Sequence, residues 1–500
     1  MKKKILFLLI LFIPFMVSAE EFKREIITGE YQNDRFTQMD ATHDGNLLLL
    51  DYRYTGVYFL VKLDKTGNIL WEKRYEGEYN PTYNSFVILN NDEFIVAGSY
   101  AISKGEEDYG PYGLITKYDK DGNILWEKKY ENVRSFNDIA LTSNNEYVVL
   151  GSNMNGEDNI FVAKIDESGN VIWEKIHDEN NEFTSLLVTK NNEVIVAGSL
   201  YISDTGTNDA VIIKYDKDGN LLWERKFGGS ESDVFNSIAL TNDESILGVG
   251  YSDSTDIEGI ENNGLDDGII IKYDKEGNIL WKKNYGDSGS DSFDSLFILK
   301  DGSFVTVGYS TSKKIGDLDL NLKCSIWNGC TDALIVKFNK DGELQWQDGH
   351  GGDQYDNYSD VTLIDDDIIA VGEFSSETTL SKYTLKYELD NIPIENGTST
   401  IEQQGRYGIV KPMPNEGYEV DKVIVKDKSG NVLDVEVTKQ EDGTYSFELY
   451  TDVSVEVLFK EKLVNPKTGI IDFITIIFIG LLMSFCGFII VKRYNEQYEI

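Results

Sequence analysis

The sequence predicts an all-β chain: a seven-bladed β-propeller closed by its N-terminal strand, then a small β module and one C-terminal transmembrane helix. Three observations carry this. A fourteen-residue phrase, KYDKDGNILWEKKY in its second copy, recurs from Lys62, Lys117, Lys164, Lys214, Lys272 and Lys337. Its tryptophans (Trp71, Trp126, Trp173, Trp223, Trp281, Trp346) stand 55, 47, 50, 58 and 65 residues apart, near the period of propeller blades. A companion phrase such as FTSLLVTKNNEVIVAGS precedes each copy. It ends on a glycine at Gly98, Gly151, Gly198, Gly250, Gly308 and Gly372, with Asp51 in that place in the first unit.

Taken in order, residues 1–19 carry three lysines, an apolar run and Val17-Ser18-Ala19, the pattern of a secretory signal. Residues 20–389 are the expected propeller. Within a unit, Phe86 to Leu89 and Glu93 to Gly98 read as two strands about an Asn90-Asn91-Asp92 turn. Tyr112 to Tyr118 and Ile124 to Lys128 read as two more about Asp119-Lys120-Asp121-Gly122-Asn123. Six full units start near Phe36, Tyr83, Phe136, Phe183, Phe235 and Phe293. A seventh starts at Tyr358 and lacks a fourth strand, which Phe22 to Thr28 is expected to supply, leaving no sheet edge open. Residues 390–462 change vocabulary and alternate apolar with polar residues, as a small β-rich module does. Residues 463–469 contain Asn465-Pro466-Lys467-Thr468-Gly469. Residues 470–491 are long and apolar enough for a membrane helix, and 492–500 open with Lys492-Arg493, expected to stay cytoplasmic.

The units resemble the bacterial seven-bladed β-propeller repeat family. Gly228-Gly229-Ser230-Glu231-Ser232-Asp233 and the run from Lys214 to Trp223 carry the likeness. The tryptophan phrase is also similar to the docking phrase of pyrroloquinoline-quinone dehydrogenases, but one residue shorter and without their adjacent cysteine pair. The tryptophans are therefore read as packing between blades. The 390–462 module resembles internalin-type B repeats, which implies a stalk. Asn465, Pro466, Thr468 and Gly469 resemble a sortase sorting signal with asparagine in place of leucine. That likeness implies joining of Thr468 to a cell wall; the alternative is a permanent single-pass anchor. Both place the propeller on the extracellular face of a membrane or wall.

The formal net charge of −39 argues against nucleic acid as a partner. Three histidines, none at metal spacing, argue against a His/Cys zinc site. Cys324 and Cys330 bracket a five-residue loop in an exported region, where a disulfide is one of two readings. Asp119 with Asp121, and Asp216 with Asp218, imitate calcium loops only in part. Their glycine comes too early and no Glu stands at position 12, so the hairpin-turn reading leads. No cofactor is expected, with calcium the one alternative.

The short turns share one face of the disc, and the variable loops joining second to third strands share the other. Recognition on repeated frames sits in such loops. The binding-face candidates are Asp256, Asp266, Asp267, Asp317, Asp319 and Trp327. The expectation is a monomeric, surface-anchored protein that binds a protein or glycan through this face. The alternative is an extracellular hydrolase or lyase, with or without calcium. No catalytic constellation is visible in the sequence.

Overall fold

A computed structural model describes residues 21–28, 34–53, 57–75, 80–104, 107–153, 160–177, 181–320, 330–352, 355–365, 367–374, 379–387, 389–449 and 452–462. None of these residues is helical, and so none lies in a helix long and apolar enough to cross a membrane. The expected signal (1–19), sorting-like motif (463–469), membrane helix (470–491) and tail (492–500) lie outside the described residues. The chain divides into two compact units, Met1–Tyr387 and Glu388–Ile500.

The first unit is a β-propeller built of four-stranded antiparallel sheets. Among its described residues there are seven such sheets. Sheet 1 comprises Asp34–Ala41, Leu47–Arg53, Val57–Leu63 and Ile69–Arg74. Sheet 2 comprises Asn80–Ile88, Phe94–Lys104, Glu107–Tyr118 and Ile124–Tyr130, and sheet 3 Val133–Leu141, Tyr147–Asn153, Ile160–Ile165 and Val171–His177. Sheet 4 comprises Asn181–Val188, Val194–Ile202, Thr207–Tyr215 and Leu221–Phe227, and sheet 5 Asp233–Leu240, Ile246–Ser252, Asp267–Tyr273 and Ile279–Tyr285. Sheet 6 comprises Asp291–Ile298, Phe304–Ser310, Asp332–Phe338 and Leu344–His350. Sheet 7 takes Asp356–Ile364, Asp367–Phe374 and Thr379–Lys386 from one end of the unit and Glu21–Thr28 from the other. That last pairing is antiparallel and in register from Glu21↔Lys386 to Thr28↔Thr379.

The glycine near the end of the second strand in sheets 2 to 7 answers a steric demand. Every first strand bulges after its aromatic residue, for example between Phe235 and Ser237, and the bulge drives a backbone carbonyl toward the second strand. A Cβ on Gly250 would lie 1.9 Å from the Val234 carbonyl oxygen, and on Gly98 the same distance from that of Thr82. Glycine admits that approach in six of the sheets; sheet 1 has the same bulge with Asp51 in that place.

The core lies between sheets. Among the described residues, seven clusters of buried apolar side chains each unite two consecutive sheets. One joins Phe36, Leu47 and Val61 of sheet 1 to Ile369, Val371 and Leu380 of sheet 7. Burying each first-strand phenylalanine, such as Phe136, Phe235 and Phe293 at 0% exposure, contributes roughly 1.5–3 kcal/mol.

A belt of polar contacts follows the bulges from sheet to sheet. Gln38 accepts from the Phe86 N–H at 2.7 Å, and Asn84 Nδ2 donates to the Phe136 carbonyl at 2.7 Å. Asp138 accepts from the Leu186 N–H at 2.8 Å, and Thr184 donates to the Phe235 carbonyl at 2.8 Å. Asn236 donates to the Phe293 carbonyl at 2.9 Å. Asp360 accepts from Ser295 at 2.7 Å and, returning to sheet 1, from the Met39 N–H at 2.8 Å.

The tryptophans are packing residues. Trp71 stacks on Phe94 and Trp281 on Phe304 of the following sheet, with centroids 6.3 and 6.4 Å apart. The Trp173 and Trp223 indole N–H groups donate to the Lys217 and Lys275 carbonyls in the next sheet's turn.

The second unit holds a mixed sheet and an antiparallel one. In the mixed sheet Leu389–Asn391 runs parallel to Val453–Glu461, which pairs with Tyr418–Asp427. The other comprises Gly397–Gln404, Tyr407–Pro414, Tyr445–Glu448 and Thr438–Lys439. Val410, Val425, Phe447, Val455 and Val457 are buried within this unit.

Candidate functional site

In an antiparallel meander the first-to-second and third-to-fourth turns fall at one end and the second-to-third loops at the other. At the turn end, Asp119 and Asp216 are engaged within their own turns. Asp119 Oδ1 accepts from the N–H groups of Asp121 and Asn123 at 2.9 and 2.8 Å, and its Oδ2 from Asn123 Nδ2 at 2.9 Å. Asp216 repeats this with Asp218 and Asn220, and Asp218 pairs with Lys217 at 2.9 Å. Gly122 and Gly219 take the left-handed conformation at φ 77° and 80° that completes a type I turn with a bulge. The Asp119 and Asp216 carboxylates cap their own turns. Among the described residues, no group of three or more His, Cys, Asp or Glu side chains is arranged to hold a metal ion. Nearly buried lysines tie the same end together: Lys62 to Asp44 at 2.8 Å, Lys117 to Glu93 at 2.7 Å and Lys214 to Glu193 at 2.8 Å.

The loop end differs, above all over sheets 5 and 6. Asp253, in the loop after Ile246–Ser252, has a buried Oδ1 with no hydrogen-bond partner. Burial, then the charges of Asp266, Asp233 and Glu231, push its carboxyl up to about 6. Tyr251, just after Gly250, and Tyr309, just after Gly308, occupy equivalent registers in adjacent sheets. Burial and the charges of Asp253 and Asp266 raise Tyr251. Burial and the charges of Asp266, Asp294, Tyr251 and Asp291 raise Tyr309. Asp294, on the bulge of sheet 6, is pushed up to about 7 by burial. The field at this end is strongly negative, and both phenols keep their protons. The cluster offers two O–H donors and several carboxylate acceptors, a set that suits an ammonium, a guanidinium or a run of sugar hydroxyls.

The structure distributes the predicted binding-face residues unevenly. Asp266 belongs to the cluster, raised by burial, and bridges toward Ser290. Asp267 lies beneath it, 1% exposed, its Oδ2 accepting from the Asn263 N–H and from Asn263 and Asn284 Nδ2 at 2.9–3.0 Å. Asp256 is exposed and accepts from the Ser230 N–H at 2.8 Å. Asp317 and Asp319 are exposed on a separate short hairpin, Lys314–Ile315 with Leu318–Asp319. Cys330 is buried and disulfide-bonded; Cys324 and Trp327 lie outside the described residues, as do Asn465, Pro466, Thr468 and Gly469. Sequence reasoning missed Tyr251, Tyr309 and Asp294. The available signal was register: tyrosine replaces the serine that follows the strand-ending glycine in sheets 2, 3 and 4.

Comparison with known proteins agrees with the repeat architecture. The chain is 27% identical over 118 residues to the regulatory protein FlaEY of Caulobacter vibrioides, 24% of this chain and 12% of that protein. It is 26% identical over 145 residues to an uncharacterized WD repeat-containing protein of Acanthamoeba polyphaga mimivirus, 25% of this chain and 10% of that protein. The matches thus span only about a tenth of either relative's length. Among solved structures, the WD40 β-propeller domain of Doa1 aligns with 73% of this chain and 97% of its own at 12% identity and a TM-score of 0.45. The PQQ_2 family model, described as outer membrane protein assembly factor BamB, matches residues 37–232 and 158–381, two overlapping stretches that together take in more than half of the chain. The chain belongs to this family of repeat β-propellers.

Proposed function

We propose that this protein is a closed seven-bladed propeller held at the outer cell surface, which binds a protein or glycan through its loop face. The seven sheets are its blades, the strand Glu21–Thr28 closes the ring, and the second unit acts as an internalin-B-repeat-like stalk. The apolar segments 1–19 and 470–491 supply export and anchoring, with Asn465–Gly469 as a sortase-type signal. One observation carries the choice of face. The acid–tyrosine cluster of Tyr251, Asp253, Asp266 and Tyr309 leaves a buried carboxylate oxygen unpartnered, while the turn-end aspartates satisfy themselves within their own turns. The ligand chemistry that fits is cationic or polyhydroxylated.

A second reading has one observation in its favour. Asp253, held near 6 beside other carboxylates, has the poise of a general acid, as an extracellular hydrolase or lyase would need. Glycan and protein arrays probed with the purified chain, with and without chelator, separate the two. Binding reduced tenfold or more by Asp253→Asn and by Tyr309→Phe supports the binding reading. Silence on the arrays together with polysaccharide turnover reverses it.

A further inference from the structure

Two positions on consecutive sheets vary together along the chain. Five residues before each third-strand lysine stand Val57, Tyr112, Asn159, Asp209, Asp267 and Asp332. Two residues before the first-strand aromatic of the next sheet stand Pro81, Arg134, Asn181, Asp233, Asp291 and Asp356. Both are aspartate at three junctions and neither is at the other three. A third position, seven residues before the aromatic, follows them. It is Glu76, Lys129 and Ile176 where the pair is absent, and Gly228, Gly286 and Gly351 where it is present.

The structure gives the reason for the glycine. A Cβ on Gly286 would lie 2.4 Å from Asp267 Oδ1 and 2.7 Å from Asp291 Oδ2. On Gly228 it would lie 2.6 Å from Asp233 Oδ2 and 2.8 Å from Asp209 Oδ1, and on Gly351 2.1 Å from Asp332 Oδ1. At Gly228 and Gly286 two carboxylates converge where the side chain is missing, and at Gly351 Asp332 fills the space. Asp267, Asp291, Asp332 and Asp356 are 0–3% exposed, and Asp267 Oδ1 and Asp332 Oδ1 are buried with no hydrogen-bond partner.

Among the described residues, no basic side chain is among the groups that shift Asp291 or Asp332. Around Asp267 and Asp291 the other titratable groups are Asp266, Tyr285 and Tyr309. Asp291 also accepts from Ser310, from Ser312 at 2.9 Å and from the Asp287 N–H at 3.0 Å. Among the described residues, Asp356 is the charged group that raises Asp332; Asp356 Oδ2 accepts from the Gly352 N–H at 2.7 Å. The Asp209/Asp233 pair is more open, with Lys226, Asp253 and Tyr251 nearby. Two facing carboxylates in a dry site cannot both ionise without strong repulsion. One proton turns that repulsion into a charge-assisted O–H···O⁻ bond, and the unpartnered oxygens of Asp267 and Asp332 are free to join it.

We propose that Asp267/Asp291 and Asp332/Asp356 are proton-sharing pairs that clamp sheet 5 to sheet 6 and sheet 6 to sheet 7 in acid and loosen when both members ionise. Burial, then the facing carboxylate, push Asp291 and Asp332 each up to about 6. Because these values lie above the ~3.9 of an unfolded aspartate, the stabilisation is complete below ~3.9 and is lost as pH rises through about 6.

Thermal unfolding of the full chain between about pH 5 and about pH 8 tests this. The wild-type midpoint is expected to fall across that interval. Asp267→Asn and Asp332→Asn are expected to shrink the fall and to raise the midpoint at about pH 8 by ~2 °C or more. An unchanged pH slope in both variants overturns the proposal. So does restoration of the wild type by calcium at about pH 8, which would make the pairs a metal site. If either variant does not fold, Asp291→Asn and Asp356→Asn remove the same pairs from the other side. The wild type itself must show an infrared carbonyl band of protonated carboxyl at about pH 5.5, above the range of an ordinary aspartate, and its absence overturns the proposal independently.

Discussion

The two ends of the propeller use the same residue type in opposite ways. At the turn end, Asp64, Asp166, Asp216 and Asp274 are held below the usual carboxylate range, chiefly by the side-chain amide of an asparagine four residues on. At the loop end, Asp253, Asp291 and Asp332 are each pushed up to about 6, chiefly by burial. The formal charge of −39 is therefore not a single property. One set of aspartates builds hairpins and gains by ionising; the other is packed against its own kind and gains by staying protonated. The repeated scaffold makes the contrast readable, since both sets stand on the same sheets within a few residues of each other.

The largest effect expected from breaking this scaffold lies between the two ends, at the second-strand glycine. Gly250→Val places a Cβ 1.9 Å from the Val234 carbonyl oxygen, a backbone atom that cannot swing away. The bulge of sheet 5 would have to open, and with it the registers that position Tyr251 and Asp253. A loss of roughly 3 kcal/mol or more is expected, read as a shifted denaturant midpoint or as failure to fold. Gly417→Ala, at a positive-φ turn with nothing within 4 Å of a Cβ, is the matched control and is expected to cost about 1 kcal/mol.

Much of the frame was legible because repetition averages out local ambiguity. The four strands per unit, the Asn90–Asp92 and Asp119–Asn123 turns, and the pairing of Phe22–Thr28 with the Tyr383 strand all follow from phrases that recur at fixed register. The glycine at Gly98 and its equivalents was legible as a position repeated at one register; that it answers a bulge carbonyl was not, because a bulge has no residue signature of its own. The candidate site was legible only in outline. Loop composition flagged Asp256, Asp317 and Asp319 as readily as Asp266, yet the first three are exposed, because counting acids cannot distinguish a solvated carboxylate from a buried one. Tyr251 and Tyr309 escaped notice because they lie at strand ends rather than in loops, and the Asp267/Asp291 pairing because its members are far apart in sequence and meet only when two sheets dock.

A smaller effect sharpens the loop end as a binding face. If Asp253 contacts a cationic or polyhydroxylated ligand as a carboxylate, protonation must weaken binding. With the carboxyl held at about 6, affinity is expected to drop about tenfold per pH unit well below that value and to level off above it. Asp253→Asn is expected to be weak at every pH, with the slope gone. Equilibrium binding of one array hit across this range decides it. A wild-type affinity that rises on acidification would mean that the protonated carboxyl is the recognising form, and would favour the general-acid reading.

The smallest effect comes from the turn end and has the opposite sign. Asp216→Ala removes three short hydrogen bonds from one exposed hairpin, so solvent screening keeps the loss slight. The Asp216 carboxyl is held below its unfolded value, chiefly by Asn220. Its stabilisation is therefore present above the unfolded value, ~3.9, and lost as pH falls through the folded one. The deficit of Asp216→Ala is expected to be largest at neutral pH and to vanish in strong acid, while Asp267→Asn departs most from the wild type at alkaline pH and least in acid. Plotted as midpoint differences from the wild type, the two variants should separate in opposite directions as pH rises. Parallel profiles would mean that the two sets of aspartates are not distinguished by ionisation, and that the contrast between the ends is one of position alone.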